Sequence, residues 1–262
     1  MQEIGRLREI AYRHVGSGTG NEVDIDSLDT ATTPYNQLII WNPDIAKIVG
    51  GYRYILCRDA ELDTNNIPKL GTARFFNYSD NFLTNYLPYT IELGRSFINP
   101  EFQATNNKRK GLFILNNLWD GLGMLVNTNP DIKYFLGQVS VFKSLSQKAR
   151  DMILYFLKEN FPNRDNIITA KLPIPIKTDK NELAPLFTDK SIVENHKTLS
   201  KEVRRLKENI PPLINSYINT SPTMQTFGAI NNPHFINMVD IGIMINIADI
   251  YENKKKRHIF NN

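Results

Sequence analysis

Apolar and polar residues follow two periods along the chain, one typical of helices and one typical of strands. Apolar side chains recur at helical spacing in four segments, at residues 4–15, 111–126, 146–161 and 211–221. Alternating or continuous apolar runs predict strands in six further segments, at residues 37–41, 46–57, 73–79, 89–98, 134–142 and 240–250. The turn-like Asn42-Pro43-Asp44 predicts that the first two strands form an antiparallel hairpin.

The order of these elements predicts the fold class, an α/β (α+β) protein with a mixed, largely antiparallel central sheet. A chain of 262 residues can form one domain with a sizeable core, and we expect residues 1–262 to be that domain. Residues 163–208 are polar and rich in proline and lysine, which favours an insertion or linker carrying one exposed helix. Residues 252–262 form a basic tail, for which simple disorder and a binding role both stay open.

Composition narrows the classes of partner and compartment. The formal net charge of +4 is too small to indicate nucleic acid, but it suits an acidic protein or an anionic membrane surface. Cys57 is the only cysteine, so no intrachain disulfide is possible. The chain shows no secretory apolar region and no run near the roughly 18 apolar residues of a spanning helix. These features predict a cytoplasmic protein, at most peripheral to the inner membrane.

Several familiar motifs are absent or incomplete. The segment GSGTG (16–20) follows a helix rather than a strand and lacks the spacing of a phosphate-binding loop. The four histidines form no H-E-x-x-H pair, and no G-x-S-x-G nucleophile elbow is present. Asp24, Asp26 and Asp29 lack the glycine and terminal glutamate of a calcium loop. We therefore predict no metal site and no serine nucleophile.

Charged residues within predicted strands are the most informative feature of the chain. Glu92 and Arg95 lie three apart in YTIELGRSFINPEF, and Arg53 lies on an apolar face of KIVGGYRYILC. An unpaired buried charge is costly, so these residues need acidic partners or a charged ligand. A bulge at Gly94 would bring Glu92 and Arg95 to one side of the sheet. A structural ion-pair network and a ligand-binding site both remain open on spacing alone.

A second cluster of charge, Lys108-Arg109-Lys110, directly precedes a predicted helix. Cations at a helix N-terminus oppose the helix dipole, unless a phosphate binds there. A phosphate site and a solvated basic loop are both compatible with this pattern.

Five segments in order resemble one family: R-x-x-A-Y-R, E-V-D-I-D-S-L-D, V-G-G-Y-R, E-L-G-R-S-F-I-N-P-E-F and L-W-x-G-L. The family is that of the ornithine/glycine lipid N-acyltransferases, also called hemolysin-like acyltransferases. It belongs to the GNAT superfamily and is related to the acyl-homoserine-lactone synthases. The resemblance covers residues 4–145 and continues more loosely beyond them. It implies a GNAT-like sheet with helices on both faces and a splayed central strand.

The resemblance also implies an activity. It is the transfer of a fatty acyl group, 3-hydroxylated in this family, to the α-amine of glycine or ornithine in aminolipid biosynthesis. The donor would be acyl carrier protein, with its phosphopantetheine thioester, or acyl-CoA, and no metal would be required. Glu92 would be the general base, and backbone N–H groups from Gly94 to Ser96 would stabilise the thioester oxygen. Attack would be direct, since no base lies beside Cys57 in the sequence.

The remaining candidate residues would bind the two substrates. Arg53 or Arg95 would hold the acceptor's carboxylate, and Asp26 and Asp29 would hold its ammonium or orient the arginines.

Contacts to the donor are expected farther along the chain, although the family signature [RQ]-x-x-G-x-[GA] is interrupted there. The candidates are Gln103, Lys108, Arg109, Lys110 and Gly111. An acidic acyl carrier protein or an anionic membrane would bind the run from Lys254 to Arg257. The alternatives are an O-acyltransferase on the same fold, or a non-catalytic module that binds an acyl carrier or a membrane.

Overall fold

A computed structural model describes residues 1–103, 108–189 and 191–259, with the side chains of residues 108–116 excluded. Its strands are Asn36–Asn42 (β1), Lys47–Leu56 (β2), Phe76–Tyr78 (β3), Thr90–Ile98 (β4), Tyr134–Phe142 (β5), Ile168–Ala170 (β6), Gln225–Asn231 (β7) and Met238–Asn246 (β8). Its α-helices are Gln2–His14 (α1), Lys108–Thr128 (α2), Gln147–Asn160 (α3), Lys180–Leu183 (α4), Ile192–Arg205 (α5), Pro212–Ile218 (α6) and Glu252–His258 (α7).

Six strands form the central sheet in the order β1-β2-β4-β5-β8-β7, and β3 pairs with β6 in a small second sheet. Every neighbouring pair in the central sheet is antiparallel except β4 and β5, which run parallel. That parallel pairing joins Thr90–Leu93 to Tyr134–Gly137 and then stops, although both strands continue. The prediction of a splayed central strand is confirmed.

We call the gap beyond this pairing the fork; it lies between residues 94–98 of β4 and residues 138–142 of β5. Gly137 forms the last pair before the fork, opposite Leu93. A Cβ atom on Gly137 would lie 2.9 Å from the carbonyl oxygen of Leu93. The absence of a side chain therefore allows the two strands to approach closely at the base of the fork.

The fork begins beside a β-bulge in β4. Gly94 pairs with Arg53 of β2, but Phe97 pairs with Gly51, so β4 has one extra residue. Arg95 lies in this bulge with a left-handed φ of +54°. The sequence correctly predicted the bulge, but the unusual backbone conformation is at Arg95 and not at Gly94. A left-handed residue other than glycine costs about 1–2 kcal/mol.

Helices and loops cover both faces of the sheet, as predicted. On one face, α1 packs against β4, and its Leu7 and Ala11 form a cluster with Phe97. On the other face lies the main core, where α2 contributes Leu118 and Leu122. We refer to these as the α1 face and the α2 face.

Residues 163–208 pack against the domain and are not a free linker, whereas the alternative of an insertion stays a prediction. Leu199 and Val203 of α5 and Leu183 of α4 are fully buried in the main core. The Asp151 carboxylate of α3 accepts hydrogen bonds from the backbone N–H groups of Lys177, at 3.0 Å, and Thr178, at 2.7 Å. The segment is packed because Leu183, Leu199 and Val203 of its helices face the core, although Val193 of α5 is exposed.

The basic tail is also more ordered than simple disorder would imply. Residues 252–258 form α7, which contacts α2. His258 and Ile259 are buried, and His258 Nδ1 lies 2.6 Å from Asp120 Oδ1. Residues 260–262 lie outside the described part of the chain.

The strand β7 is not among the predicted strands, because Gly228 interrupts its apolar alternation. Gly228 has a φ of +87°, and the pairing with β8 shifts register between Thr226 and Ala229. None of the described helices combines the length and hydropathy needed to cross a membrane.

Candidate active site

A cavity of about 70 Å³ extends from the fork towards the α2 face. Its inner wall is apolar because the main core surrounds it, with Leu118, Leu122, Phe135, Ile243 and Ile245 as lining residues. The side towards the fork carries Arg95 and Ser96 from β4 and Gln138 from β5. An apolar chain can therefore lie in the core while its polar end meets the bulge.

Gly94, Arg95 and Ser96 are predicted site residues that line this cavity, and the charged one of the three is Arg95. Its Nε lies 3.0 Å from Asp24 Oδ2, and a terminal nitrogen lies 3.3 Å from Asp26 Oδ2. The guanidinium also lies over the ring of Phe235, 4.3 Å from the centroid. Burial lowers the pKa of Arg95, and the carboxylate of Asp24 only partly opposes this effect. The side chain nevertheless keeps 15% of its surface exposed, so a ligand in the fork can reach it.

Arg53 has a different environment, with only 4% of its side chain exposed. Its guanidinium donates to Asp26 at 2.7 and 3.1 Å and to Asp29 at 2.9 Å. Burial opposes its charge, but these two carboxylates raise the pKa of Arg53 above the usual value. Arg53 does not line the cavity. Of the two arginines, Arg95 is therefore the more accessible to a ligand, and Arg53 is the more completely enclosed by carboxylates.

Asp26 and Asp29 orient the arginines, which is one of their two predicted roles. Asp29 is buried between Arg53 and Arg8, with Arg8 3.2 Å from each of its oxygens. Asp26 Oδ2 also forms an ion pair with the Arg74 guanidinium, at 3.0 Å. Burial alone would raise the pKa of Asp26, but the surrounding guanidinium groups outweigh it and hold that pKa well below the usual range. The sequence interpretation missed Arg8 and Arg74, whose neighbours are distant in the chain.

Glu92 lies on the α1 face like Arg95, as the bulge predicted, but the two side chains have separate partners. Only 2% of Glu92 is exposed. It accepts hydrogen bonds from the backbone N–H groups of Gly71 and Thr72, both at 2.8 Å, and from the hydroxyl groups of Tyr35 and Thr72. Four donors occupy the roughly four acceptor positions of a carboxylate. Glu92 does not line the cavity, so the structure gives it the position of a buried anchor for residues 71–72 rather than that of an exposed base.

Backbone groups at the bulge face the fork. Arg95 and Ser96 have no paired residue on β2, and pairing with β5 has already ended at Leu93. An extra residue in a bulge leaves the ladder, so its polar backbone groups are available to a ligand. The Tyr12 hydroxyl donates to the Ser96 carbonyl oxygen at 3.2 Å and ties the bulge to α1.

The expected contacts to the donor's pantetheine have mixed outcomes. The Gln103 amide donates to the Ile98 carbonyl oxygen at 2.7 Å and does not line the cavity. The helix α2 begins at Lys108, but the side chains of Lys108, Arg109, Lys110 and Gly111 lie outside the described part of the structure. Their binding to a phosphate or to pantetheine stays a prediction.

The GSGTG segment and Cys57, to which the sequence assigned no role in the site, both have structural roles. The GSGTG segment is attached to α1 through Glu9, whose carboxylate accepts from the N–H groups of Thr19 at 2.9 Å and Gly20 at 3.0 Å. A carboxylate already occupies the position that a phosphate would need. Cys57 is buried, and this burial raises the pKa of its thiol, which keeps it protonated.

Gln138 and Asp240 are polar residues near the fork that the sequence interpretation did not select. Gln138 lines the cavity, and its Nε2 is buried with no hydrogen-bond partner among the described residues. Asp240 is the only charged residue of β8. Arg53 was selected because it is a charged residue on an apolar strand, and Asp240 shows the same pattern in β8.

A forked mixed sheet, a bulged central strand and an apolar cavity between them define an acyltransferase of the GNAT class. In agreement, the model of the acetyltransferase (GNAT) domain family matches residues 7–110. Two curated proteins are similar over almost the whole chain. Both are named glycine N(alpha)-acyltransferase, one from Phocaeicola vulgatus and one from Bacteroides thetaiotaomicron. Each is 49% identical over 259 residues, which cover 99% of this chain and 79% and 77% of the respective relatives.

The chain therefore belongs to the GNAT acyltransferase family that contains these two relatives, and it is an acyltransferase. This excludes the alternative of a non-catalytic binding module. No solved structure gives a significant match to the chain. Within residues 1–103, 108–189 and 191–259, no three His, Cys, Asp or Glu side chains form a group that could hold a metal ion.

Proposed function

We propose that the protein transfers a fatty acyl group from a carrier-bound thioester to the α-amine of glycine, as a step of aminolipid biosynthesis. The observation that carries this proposal is the position of Arg95 at the polar side of an apolar cavity. One arginine at the end of an apolar pocket fits a reaction between an acyl chain and a small carboxylate. The names of the two relatives support glycine rather than ornithine as the acceptor.

The donor's acyl chain lies in the cavity beneath the fork. Leu118 and Leu122 of α2 and Phe135 of β5 surround it with apolar surface. The thioester carbonyl then lies at the bulge, where the backbone N–H groups of Arg95 and Ser96 stabilise the developing negative charge on oxygen. Binding the charged oxygen more strongly than the neutral carbonyl is what accelerates the reaction.

The acceptor approaches from the α1 face, where Arg95 holds its carboxylate. The amine nitrogen forms the new bond to the carbonyl carbon while the bond to the thiol sulfur breaks. Of the three ammonium protons, one stays on the amide, one goes to the departing thiolate and one is released. We assign Glu92 no part in this proton transfer, because its acceptor positions are already occupied.

The donor thioester is proposed to arrive on acyl carrier protein. A smaller cavity between α2 and α7 adjoins the first and shares Trp119, Leu122 and Phe135 with it. The exposed Lys256 and Arg257 of α7 lie beside this region and complement an acidic carrier. The same basic surface suits peripheral contact with an anionic membrane, where an acylated product would partition.

The test is acyl transfer by the purified protein with acyl-carrier and acyl-CoA donors and a panel of amino acids. Mass spectrometry of the products should show an acyl-glycine. Arg95→Ala should raise the KM for glycine by at least about tenfold, because a buried charge-assisted contact is lost. Arg58→Ala is the matched control, since Arg58 forms an ion pair with Asp131 away from the fork. Formation of an ester with a lysolipid acceptor, or no product with glycine, would overturn the proposal.

A further inference from the structure

Asp240 is a buried carboxylate whose charge has no cationic partner in direct contact. Only 4% of the residue is exposed. Its carboxylate accepts from the Ser140 hydroxyl and from the Asn232 side-chain amide, both at 2.6 Å. Both donors are neutral, and no lysine or arginine nitrogen of the described residues lies within 4.0 Å. A buried carboxylate is normally paired with a cation, so this environment is incomplete.

The position of Asp240 relates it to the fork. Asp240 pairs with Ser140 of β5, two residues beyond Gln138, towards the open end of the fork. Residues two apart share a face of a strand, so Gln138, Ser140 and Asp240 lie on the same face of the sheet. Gln138 lines the cavity, and β5 is the strand that borders the gap. The hydrogen bond from Ser140 places the Asp240 carboxylate next to that border.

Arg95 lies on the opposite side of the same gap. Asn232, which donates to Asp240, begins the loop that carries Phe235, and the Arg95 guanidinium lies over the Phe235 ring. Burial raises the pKa of Asp240; the hydrogen bonds from Ser140 and Asn232 oppose this increase, and the positive charge of Arg95 opposes it further. A positive group on β4 and a negative group on β8, the strand paired with β5, thus lie on either side of the fork.

We propose that Asp240 binds the ammonium group of the acceptor amino acid while Arg95 binds its carboxylate, so that the two residues hold the zwitterion across the fork. This inference rests on the proposed function. A small amino acid has its two charges on adjacent atoms of one short skeleton, which fits opposite charges on either side of a narrow gap. Paired with Asp240, the amine nitrogen lies beside the bulge, where the thioester carbonyl is expected.

The experiment compares glycine with propionate, which has a methyl group in place of the ammonium. The KM for glycine and the inhibition constant of propionate are measured for wild-type protein and for Asp240→Asn at a saturating acyl donor. We expect Asp240→Asn to raise the glycine KM at least about thirtyfold and to leave the propionate constant within threefold. An equal rise in the glycine KM and the propionate inhibition constant, or an unchanged glycine KM, would overturn the proposal.

Asn232→Ala tests whether the role of Asp240 is only structural. It removes the hydrogen bond from Asn232 to Asp240 but keeps the negative charge of Asp240. We expect its glycine KM to stay within about threefold of wild type; a rise equal to that of Asp240→Asn contradicts the inference. Asp151→Asn is the control for loss of a buried carboxylate far from the fork.

If Asp240→Asn does not fold, the wild-type protein still tests the proposal. An ammonium-binding site requires that wild-type protein binds glycine at least about tenfold more tightly than propionate. The proposed function fails separately, when wild-type protein forms no acyl-glycine. The inference alone fails when wild type is active and Asp240→Asn is equally active.

Discussion

Replacement of Glu92 by glutamine distinguishes a buried anchor from a general base. Glutamine keeps the size of glutamate but presents one NH2 group in place of an acceptor oxygen. Whichever way the amide is oriented, that NH2 group faces the backbone N–H of either Gly71 or Thr72. The hydroxyl groups of Tyr35 and Thr72 can rotate to accept a hydrogen bond, but a backbone N–H cannot.

The magnitude follows from these four hydrogen bonds. A buried donor left without a partner costs about 1–3 kcal/mol, and loss of charge assistance in the remaining bonds costs about 1 kcal/mol. We therefore expect Glu92→Gln to lower the free energy of unfolding by about 2–4 kcal/mol. The effect on kcat of the folded fraction should stay below about tenfold, whereas removal of a general base costs about 10²- to 10⁴-fold.

Denaturant titration followed by fluorescence gives the free energy of unfolding, and acyl-transfer assays of the folded protein give kcat. Glu61→Gln is the control, because this carboxylate is more accessible and lies outside the cluster. Unchanged stability with a loss of kcat above a hundredfold would refute our reasoning and restore Glu92 as the base.

Three further predictions test the cavity, the ion-pair network and the basic helix. Leu122→Trp fills part of the cavity. We expect kcat/KM for the longest accepted acyl chains to fall about tenfold, because about two methylene groups then stay in water, and kcat/KM for short chains to stay unchanged. An unchanged chain-length profile in a series of donors contradicts this prediction. Asp26 has a pKa below its ordinary 3.8, so its stabilisation is present above that pH and is lost as the pH falls further. Asp26→Asn should therefore lower the free energy of unfolding by about 3 kcal/mol at pH 7, and this loss should start to shrink only as the pH falls below 3.8 and be smallest below pH 2; a loss that is independent of pH is the contrary result. The double change Lys256→Glu and Arg257→Glu should raise the KM for an acyl-carrier donor about tenfold and leave that for acyl-CoA unchanged, whereas equal effects on both donors exclude carrier docking.

The sequence was sufficient for the parts of the fold that depend on local pattern. The predicted hairpin appears as β1 and β2, and the strand carrying Glu92 appears as β4 with its bulge. The apolar alternation of residues 241, 243 and 245 predicted the face of β8 that joins the main core. These features depend on neighbours in the chain or on a strand's period of two, and a single sequence records both.

The hydrogen-bond and ion-pair partners of the site residues could not be predicted from local sequence pattern. Glu92 receives its donors from residues 35, 71 and 72, and these come from loops whose positions depend on the whole fold. The same loops decide that Arg53 is enclosed by carboxylates while Arg95 remains accessible. Spacing within β4 identified the charges but not their neighbours, which is why it could not separate a base from an anchor.

Residues 163–208 show a different limit. Their overall polarity favoured a linker, but Leu199 and Val203 are spaced by one helical turn and lie together in the core. In a segment with so few apolar residues, the spacing of those residues is more informative than their number.

The fork also has a consequence for the order in which the protein folds. The strands on its β4 side, β1, β2 and β4, come from residues 36–98, and those on its β5 side, β5, β8 and β7, come from residues 134–246. Each set of three forms its antiparallel ladder within its own stretch of chain, and only the short parallel contact between β4 and β5 joins the two sets. During synthesis the first set is complete before the second has left the ribosome. Under the proposed function, acyl transfer therefore requires both halves, because a chain truncated after β4 would contain the bulge and Arg95 but not the cavity.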